Sequence, residues 1–407
     1  MKILQISSSD YAHGGGGAIA QYRLLEGLRR QGIDCKILSG IKTTNAEFTK
    51  SIKRNKYLEA RIRSVTSRLG LNDIHCISSF DIAKDPFFLE VDLLNLHIIH
   101  SGYFSYLALP KLTQSKPAVL TLHDMWSFTG HCAYSYDCER WKTGCGSCPY
   151  PDIYPAIRRD TTEWEWKLKN WAYSRSDLTI VAPSRWLVKK AKESLLSQFT
   201  IHHIPYGLDL NVFQPLDPEA CRIALGIPPK KKVLMFSSVN LKDPRKGGDL
   251  LIQALQKLPE SLKKSCVLLI LGLASTHIEA EVSIPCLSLG YISSDRIKSA
   301  AYSAADLFLF PTRADNLPLV LQESIACGTP IVSFKVGGVP DLVRSKITGY
   351  LAEPENIQDF ANGIVELLEA KSLRSQMSTR CREIAEKEYA LQIQAGRYVK
   401  IYEELLK

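Results

Sequence analysis

No apolar run in the 407-residue chain reaches the roughly 18 residues a membrane helix requires. The opening MKILQISSSD has no apolar signal-peptide core and reads as a first strand. No internal repeat or low-complexity tract appears. The glycines from Gly14 to Gly17 stand in one block, so the spaced G-x-G-x-x-G of a dinucleotide-dependent oxidoreductase is missing, as is a ribose acid about 20 residues on. No aromatic or glycine-rich binding signature accompanies the positive charge, which excludes the usual nucleic-acid binders. Eleven cysteines without an export signal point to reduced thiols in the cytoplasm rather than a disulfide framework.

What is present is a globular composition, 45% hydrophobic and 23% charged, long enough for two domains with separate cores. The net charge of +9 is uneven: residues 1–205 carry 27 Lys and Arg against 19 Asp and Glu. Part of the excess lies in residues 48–70, where Lys50, Lys53, Arg54, Lys56, Arg61, Arg63 and Arg68 face only Glu59. With Tyr57, Leu58, Ile62 and Val65 interleaved, this segment is either a basic amphipathic helix for anionic lipid or a solvated helix of an ordinary domain.

Strand-like and helix-like patterns alternate along both halves, which predicts an α/β protein of two doubly wound parallel sheets. The first strand runs into Gly14–Gly17 and a helix, an arrangement that lets backbone approach a phosphate or sugar. The buried strand AVLTLHD delivers His123 and Asp124 to its carboxyl end, where ligands gather in such sheets. Downstream, Cys132, Cys138, Cys145 and Cys148 are separated by five, six and two residues, and the closing C-x-x-C is half of a zinc-site pattern. Structural zinc, free thiols or a redox-labile disulfide each satisfy that spacing. Four thiolates would leave no open position for a catalytic metal.

In the second half, Arg245 and Lys246 precede Gly247-Gly248 at a helix start, which suits a diphosphate. In PTRADNLPLVLQESIACGTPIVSFKVGG, residues 311–338, Pro318 reads as a first helical residue and Leu319 to Ala326 as the helix. Asp315 then lies in the loop before the helix, and Glu323 projects from within it. A turn residue and a solvated acid fit the same pattern.

This stretch closely resembles the signature of the GT-B glycosyltransferases of family 4, in which an acid, seven residues and a Glu precede a small-residue helix end and a Gly-Gly. The resemblance covers nearly the whole chain. It implies a GT-B fold: two Rossmann-like domains, residues 1–205 and 206–390, facing a cleft, with the last helix, 391–407, returning to the first. Tyr206-Gly207-Leu208-Asp209 resembles the family's interdomain motif. The activity implied is retaining transfer of a sugar from a nucleoside diphosphate sugar to a saccharide or lipid-linked acceptor. Alternatives are a sugar nucleotide epimerase of the same fold, which would need catalytic acids in the first domain, and a noncatalytic nucleotide-sugar-binding protein.

By the same resemblance Asp315 and His123 approach the donor sugar, and Glu323 holds the ribose. Arg245, Lys246 and the backbone at Asn316, Leu317, Leu319 and Val320 would hold the diphosphate, Gly290 would lie near the base, and Gly15, Gly16 and Gly17 would cover the cleft. Family members usually carry Glu where this chain has Asp315, one methylene shorter. Several carry a phosphate-binding Arg where it has Asn240. No cofactor is required for transfer. Expected partners are the donor, the acceptor and an anionic membrane surface, with the protein cytoplasmic or peripheral on the inner membrane face.

Overall fold

In the computed structural model, residues 1–10 and 15–407 are described; Gly14, part of the expected glycine loop, lies outside them. The chain divides into two compact units, Met1–Gly207 with Gln392–Lys407, and Leu208–Leu391.

The first unit holds a parallel sheet of β1 (Lys2–Ser9), β2 (Asp34–Ile41), β3 (Thr49–Ser51), β4 (Leu93–His97), β5 (Ala118–Thr121), β6 (Leu178–Ala182) and β7 (Ile201–His203). Its order is β3-β2-β1-β4-β5-β6-β7. The second holds β8 (Lys232–Asn240), β9 (Cys266–Leu273), β10 (Cys286–Ser288), β11 (Leu307–Phe310), β12 (Ile331–Phe334) and β13 (Gly349–Ala352), in the order β10-β9-β8-β11-β12-β13. Both are doubly wound, and the order reverses beside β1 and beside β8, where the carboxyl ends of neighbouring strands splay apart.

The central strands are mostly apolar because helices cover both faces. Every residue of β4, β5, β6, β11 and β12 is buried. Side-chain caps begin several helices: Ser184 Oγ accepts from Leu187 N at 3.1 Å, and Asn55 Oδ1 from Leu58 N at 3.2 Å, each contributing about 1 kcal/mol. Ser294 caps the helix Asp295–Ala304 in the same way.

The C-terminal helix Leu391–Leu405 brings Tyr398 and Tyr402 into the core formed by Ile3, Leu24 and Val119. Asn95 Nδ2 donates to Tyr402 Oη at 2.7 Å, and Tyr398 Oη lies 3.0 Å from Thr121 Oγ1. Two buried tyrosines thus carry their hydroxyls to polar groups on β4 and β5, as burial of such groups demands.

The basic segment is not one helix. Residues 49–51 pair with β2, and the helix runs only from Lys56 to Thr66, because Asn55 caps it there. Its single acid, Glu59, is buried and bound to Arg54 Nε at 2.7 Å. Tyr57, Leu58, Val65 and Leu69 are exposed, alongside exposed Lys53, Lys56, Arg61, Arg63 and Arg68.

Candidate functional site

In the Leu208–Leu391 unit, three loops converge at the carboxyl edge of the sheet. Asp243 Oδ1 accepts from Arg245 N at 3.0 Å and shapes the turn after β8. That turn is joined to the loop after β11: Arg313 N and Thr312 Oγ1 both donate to Arg245 O, at 2.9 and 3.0 Å. Gly247, at φ +70°, closes the junction, since a Cβ there would lie 1.9 Å from Pro311 O. Gly337, at φ +51°, lets the loop after β12 approach, where a Cβ would lie 2.0 Å from Asp315 O. Only glycine accepts both the dihedral and the contact.

These junctions bring Arg245, Lys246 and Asp315 together. Lys246 Nζ donates to Asp315 Oδ2 at 2.5 Å and Arg245 Nη1 to the same oxygen at 3.1 Å, while Arg245 Nη1 also reaches Ala314 O at 2.9 Å. Burial by itself would raise the Asp315 pKa, but the charges of Lys246 and Arg245 and their hydrogen bonds outweigh it and hold the carboxyl below its usual range. Burial lowers the Lys246 pKa, and the Asp315 charge opposes this only in part. A second carboxylate, Asp243, lies 3.5 Å from Arg245 Nη2, so the two cations face two carboxylates and only Asp315 is shared between them.

Asp315 is followed by buried Asn316 and Leu317, and Pro318 is the N-cap rather than the first residue of the helix Leu319–Ala326. No side chain caps this helix, so its first-turn amides at Leu319 and Val320 are presented at the same loop. Glu323 is buried one turn further in and accepts from Tyr302 Oη at 3.3 Å. Gly290 has φ +66° and open space where a Cβ would project. Asn240 spends its side-chain oxygen on Lys242 N at 3.0 Å, so Arg245 is the arginine that accompanies Lys246.

In the other unit, Gly15, at φ +77°, is the N-cap of the helix Gly16–Arg30, again without a side-chain cap. A Cβ on Gly17 would meet Ile98 Cδ1 at 2.7 Å and His123 Cγ at 3.2 Å, so the glycine loop packs directly on that histidine. His123 Nε2 lies 3.1 Å from His97 Nδ1, and its Nδ1 lies 2.8 Å from Tyr206 Oη, whose ring stacks at 5.5 Å. Burial drives the His123 pKa down to about 4, against the opposing charge of Asp124, and burial together with His123 keeps His97 low as well. Both rings are therefore neutral at pH 7. Since both His123 ring nitrogens have protein partners, a ligand contact by this side chain replaces one of them or uses a ring C–H.

Sequence reasoning missed His97 and Tyr206 as partners of His123; the signal for His97 was its place at the carboxyl end of a buried strand. The Gly-Gly of the signature was visible in the sequence, but not the approach of Gly337 to Asp315 O, which depends on a fold of three loops.

Cys132, Cys138, Cys145 and Cys148 do come together, lining one cavity of about 20 Å³ with His131 and Trp141. Gly130 N donates to Cys145 Sγ at 3.1 Å, and His131 Nε2 lies 3.3 Å from Cys148 Sγ. All four are free thiols; burial pushes Cys132 up to about 12 and Cys145 up to about 11. Among the described residues no group of three or more His, Cys, Asp or Glu side chains is placed to hold a metal ion. Among the described residues, too, no helix is long and apolar enough to cross a membrane.

Residues 219–384 match the family described as glycosyl transferases group 1, and residues 14–212 match glycosyltransferase family 4. The D-inositol 3-phosphate glycosyltransferase of Mycobacterium sp. (strain JLS) is 34% identical over 172 residues, which cover 40% of this chain and 38% of that protein. The chain therefore matches well under half the length of such curated relatives. A putative colanic acid biosynthesis glycosyl transferase, WcaC of Escherichia coli K12, is 25% identical over 328 residues, 77% of this chain and 76% of its own. Among solved structures, sucrose-phosphate synthase from Thermosynechococcus elongatus superposes with a TM-score of 0.74 at 17% identity, covering 100% of this chain and 99% of that one. HepE from Anabaena in complex with UDP-glucose gives 0.66 at 17% identity, over 99% of this chain and 100% of its own.

Two doubly wound units of this topology, in register with such structures, define a GT-B glycosyltransferase fold. Within that class, the chain belongs to the glycosyltransferases of family 4.

Proposed function

We propose that the protein is a retaining glycosyltransferase that moves a sugar from a nucleoside diphosphate sugar to an acceptor hydroxyl in polysaccharide or glycolipid assembly. The observation that carries this reading is the cluster of Lys246, Arg245 and Asp315 beside the uncapped helix start at Leu319. The two cations and the uncapped helix amides stabilise a departing diphosphate, the charge that grows in the transition state. Asp315 directs only Oδ2 to the two cations, so Oδ1 is available to orient a donor hydroxyl. Glu323 anchors the ribose, and Asn316, Leu317 and Gly290 shape the walls. Retention follows if the leaving phosphate itself takes the acceptor's proton on the same face, which needs no paired acid and base.

His123, held neutral, adds an uncharged, polarisable ring beside Gly15–Gly17 within its own unit. The solved UDP and UDP-glucose complexes of HepE support a uridine donor. Transfer requires no metal, because side chains and helix amides supply the positive charge, and zinc on the four cysteines would serve only to brace their loop. The exposed apolar and basic face of the helix Lys56–Thr66, whose single acid is buried, supports peripheral contact with an anionic membrane.

The test is a thermal-shift screen of UDP-, GDP- and ADP-sugars, repeated with Lys246→Ala and Glu323→Ala. Stabilisation by one nucleotide class that both substitutions diminish supports the reading, and stabilisation that survives both unchanged removes the site.

A further inference from the structure

The loop after β4 holds a second polar assembly, all of it within the Met1–Gly207 unit. Asp124 Oδ2 lies 3.1 Å from His100 Nε2, His100 Nδ1 lies 3.0 Å from Ser101 Oγ, and Ser101 Oγ lies 3.0 Å from Tyr154 Oη. The chain of hydrogen bonds begins at a buried histidine tilted against Trp126, ring centres 5.1 Å apart, and ends at two exposed residues, Ser101 and Tyr154, the latter 61% exposed. Its parts come from three segments. Asp124 follows β5 and is fixed through Oδ1 by Trp126 N at 2.8 Å, while Tyr154 arrives from the far side of the four-cysteine loop, its carbonyl accepting from Ala133 N at 3.0 Å.

The backbone here is held away from its relaxed state. Ile98 and Ser101, neither of them glycine, sit at φ +45° and +81°, and Gly102 N is tied to Asp73 Oδ1 at 2.5 Å. Left-handed non-glycine residues persist only where surrounding contacts impose them, and they concentrate at ligand sites. The exposed Ser101 hydroxyl gains nothing in stability from that strain.

The carboxylate also fixes the direction of the chain. Asp124 Oδ2 can only accept, so the ring proton sits on His100 Nε2, and in that tautomer Nδ1 is a bare acceptor to which Ser101 Oγ donates. Ser101 Oγ then accepts from Tyr154 Oη, and what the assembly offers to solvent is oxygen lone pairs. Such a surface takes a hydrogen-bond donor. Two carboxylates close by, Asp124 and Asp73, disfavour an anion such as phosphate.

We propose that Ser101 Oγ and Tyr154 Oη, backed by His100 and Asp124, form a subsite that takes a hydroxyl of a saccharide acceptor. This deepens the transfer reading above and rests on it for the role of acceptor, though binding of the sugar does not. Ser101 and Tyr154 touch the ligand; His100 and Asp124 are positioning residues that keep Ser101 Oγ turned as an acceptor.

The probes are methyl α-D-glucopyranoside, galactopyranoside and mannopyranoside, followed by saturation-transfer NMR on the full chain, with UDP-sugar thermal shifts run in parallel. Ser101→Gly removes the hydroxyl at a dihedral that glycine accepts, and Tyr154→Phe alters an exposed ring, so both variants keep the fold. At least one glycoside is expected to bind the wild type, each substitution weakening it about fivefold, the worth of one neutral hydrogen bond. The glycoside is also expected to shift the His100 ring nitrogens in the wild type and not in Ser101→Gly, a response a merely structural role would not give. UDP-sugar shifts stay unchanged in both variants. The subsite is overturned if no glycoside binds the wild type, or if both variants bind as well as it does. Loss of the nucleotide response alone would sink the donor assignment and leave the subsite standing.

Discussion

Lys246 and Asp315, 69 residues apart in the chain, meet at 2.5 Å, and Arg245 adds its guanidinium to the same carboxylate oxygen. The pairing ties the turn after β8 to the loop after β11, so the groups assigned to the diphosphate and to the sugar form one electrostatic unit. Replacing Asp315 with Asn leaves Asp243 as the carboxylate facing Arg245 and Lys246 and raises the charge of the cluster by one. UDP is expected to bind Asp315→Asn as tightly as the wild type or more so, while sugar transfer falls at least about 100-fold. Calorimetry and a transfer assay on the same preparation check both halves.

Lys246→Ala acts in the opposite sense, leaving a buried carboxylate with one cation. UDP affinity is expected to fall about tenfold or more, and the melting temperature with it, since breaking a buried pair costs about 3–5 kcal/mol.

Glycine substitutions separate contact from dihedral. Gly247→Ala and Gly337→Ala push a Cβ against a carbonyl oxygen at 1.9 and 2.0 Å, whereas Gly290→Ala meets open space at a similar positive φ. Gly290→Ala is expected to cost about 1–2 kcal/mol, the dihedral alone, and the other two clearly more. Urea unfolding of the three variants gives the ranking.

Stability is expected to decline with acid in a defined window. The His123 pKa of about 4 lies below its ordinary 6.5, so between those values the unfolded chain binds a proton that the folded chain does not. The stabilisation is full above about pH 6.5 and is lost as pH falls toward 4, with buried His97 acting in the same sense. Melting temperatures from pH 7.5 to 4.5 should fall less steeply for His123→Gln than for the wild type.

Vesicle co-sedimentation addresses the helix Lys56–Thr66. Binding is expected to phosphatidylglycerol vesicles, not to phosphatidylcholine alone, and to weaken in high salt. Val65→Glu with Leu69→Glu, both at exposed positions, should abolish it without changing UDP-sugar binding.

How far the sequence could be read depends on how local each determinant is. The helix Leu319–Ala326 was legible in its bounds because a proline and an apolar run define it within a few positions, although Pro318 caps it rather than opening it. The basic segment was misjudged: charge pattern alone could not show that residues 49–51 would add to a sheet edge. In the candidate site, Lys246, Asp315 and Glu323 lie in recognisable local motifs. The pairing of Lys246 with Asp315, the His97–His123–Tyr206 contacts and the His100–Asp124 chain join distant segments, and no spacing rule reports them. The four cysteines illustrate the converse, because their spacing alone was enough to foretell that they share one cavity.

The absence of any room for a side chain between Gly247 and the carbonyl of Pro311 has a bearing on how such a protein changes its preference for one nucleotide over another. The two loops are welded there and cannot be retuned separately, so variation in the phosphate-gripping half is closed off. At Gly290, the position proposed to lie near the base, a new side chain finds empty space but must accept a φ of +66°, so change there favours residues such as Asn that tolerate a left-handed backbone.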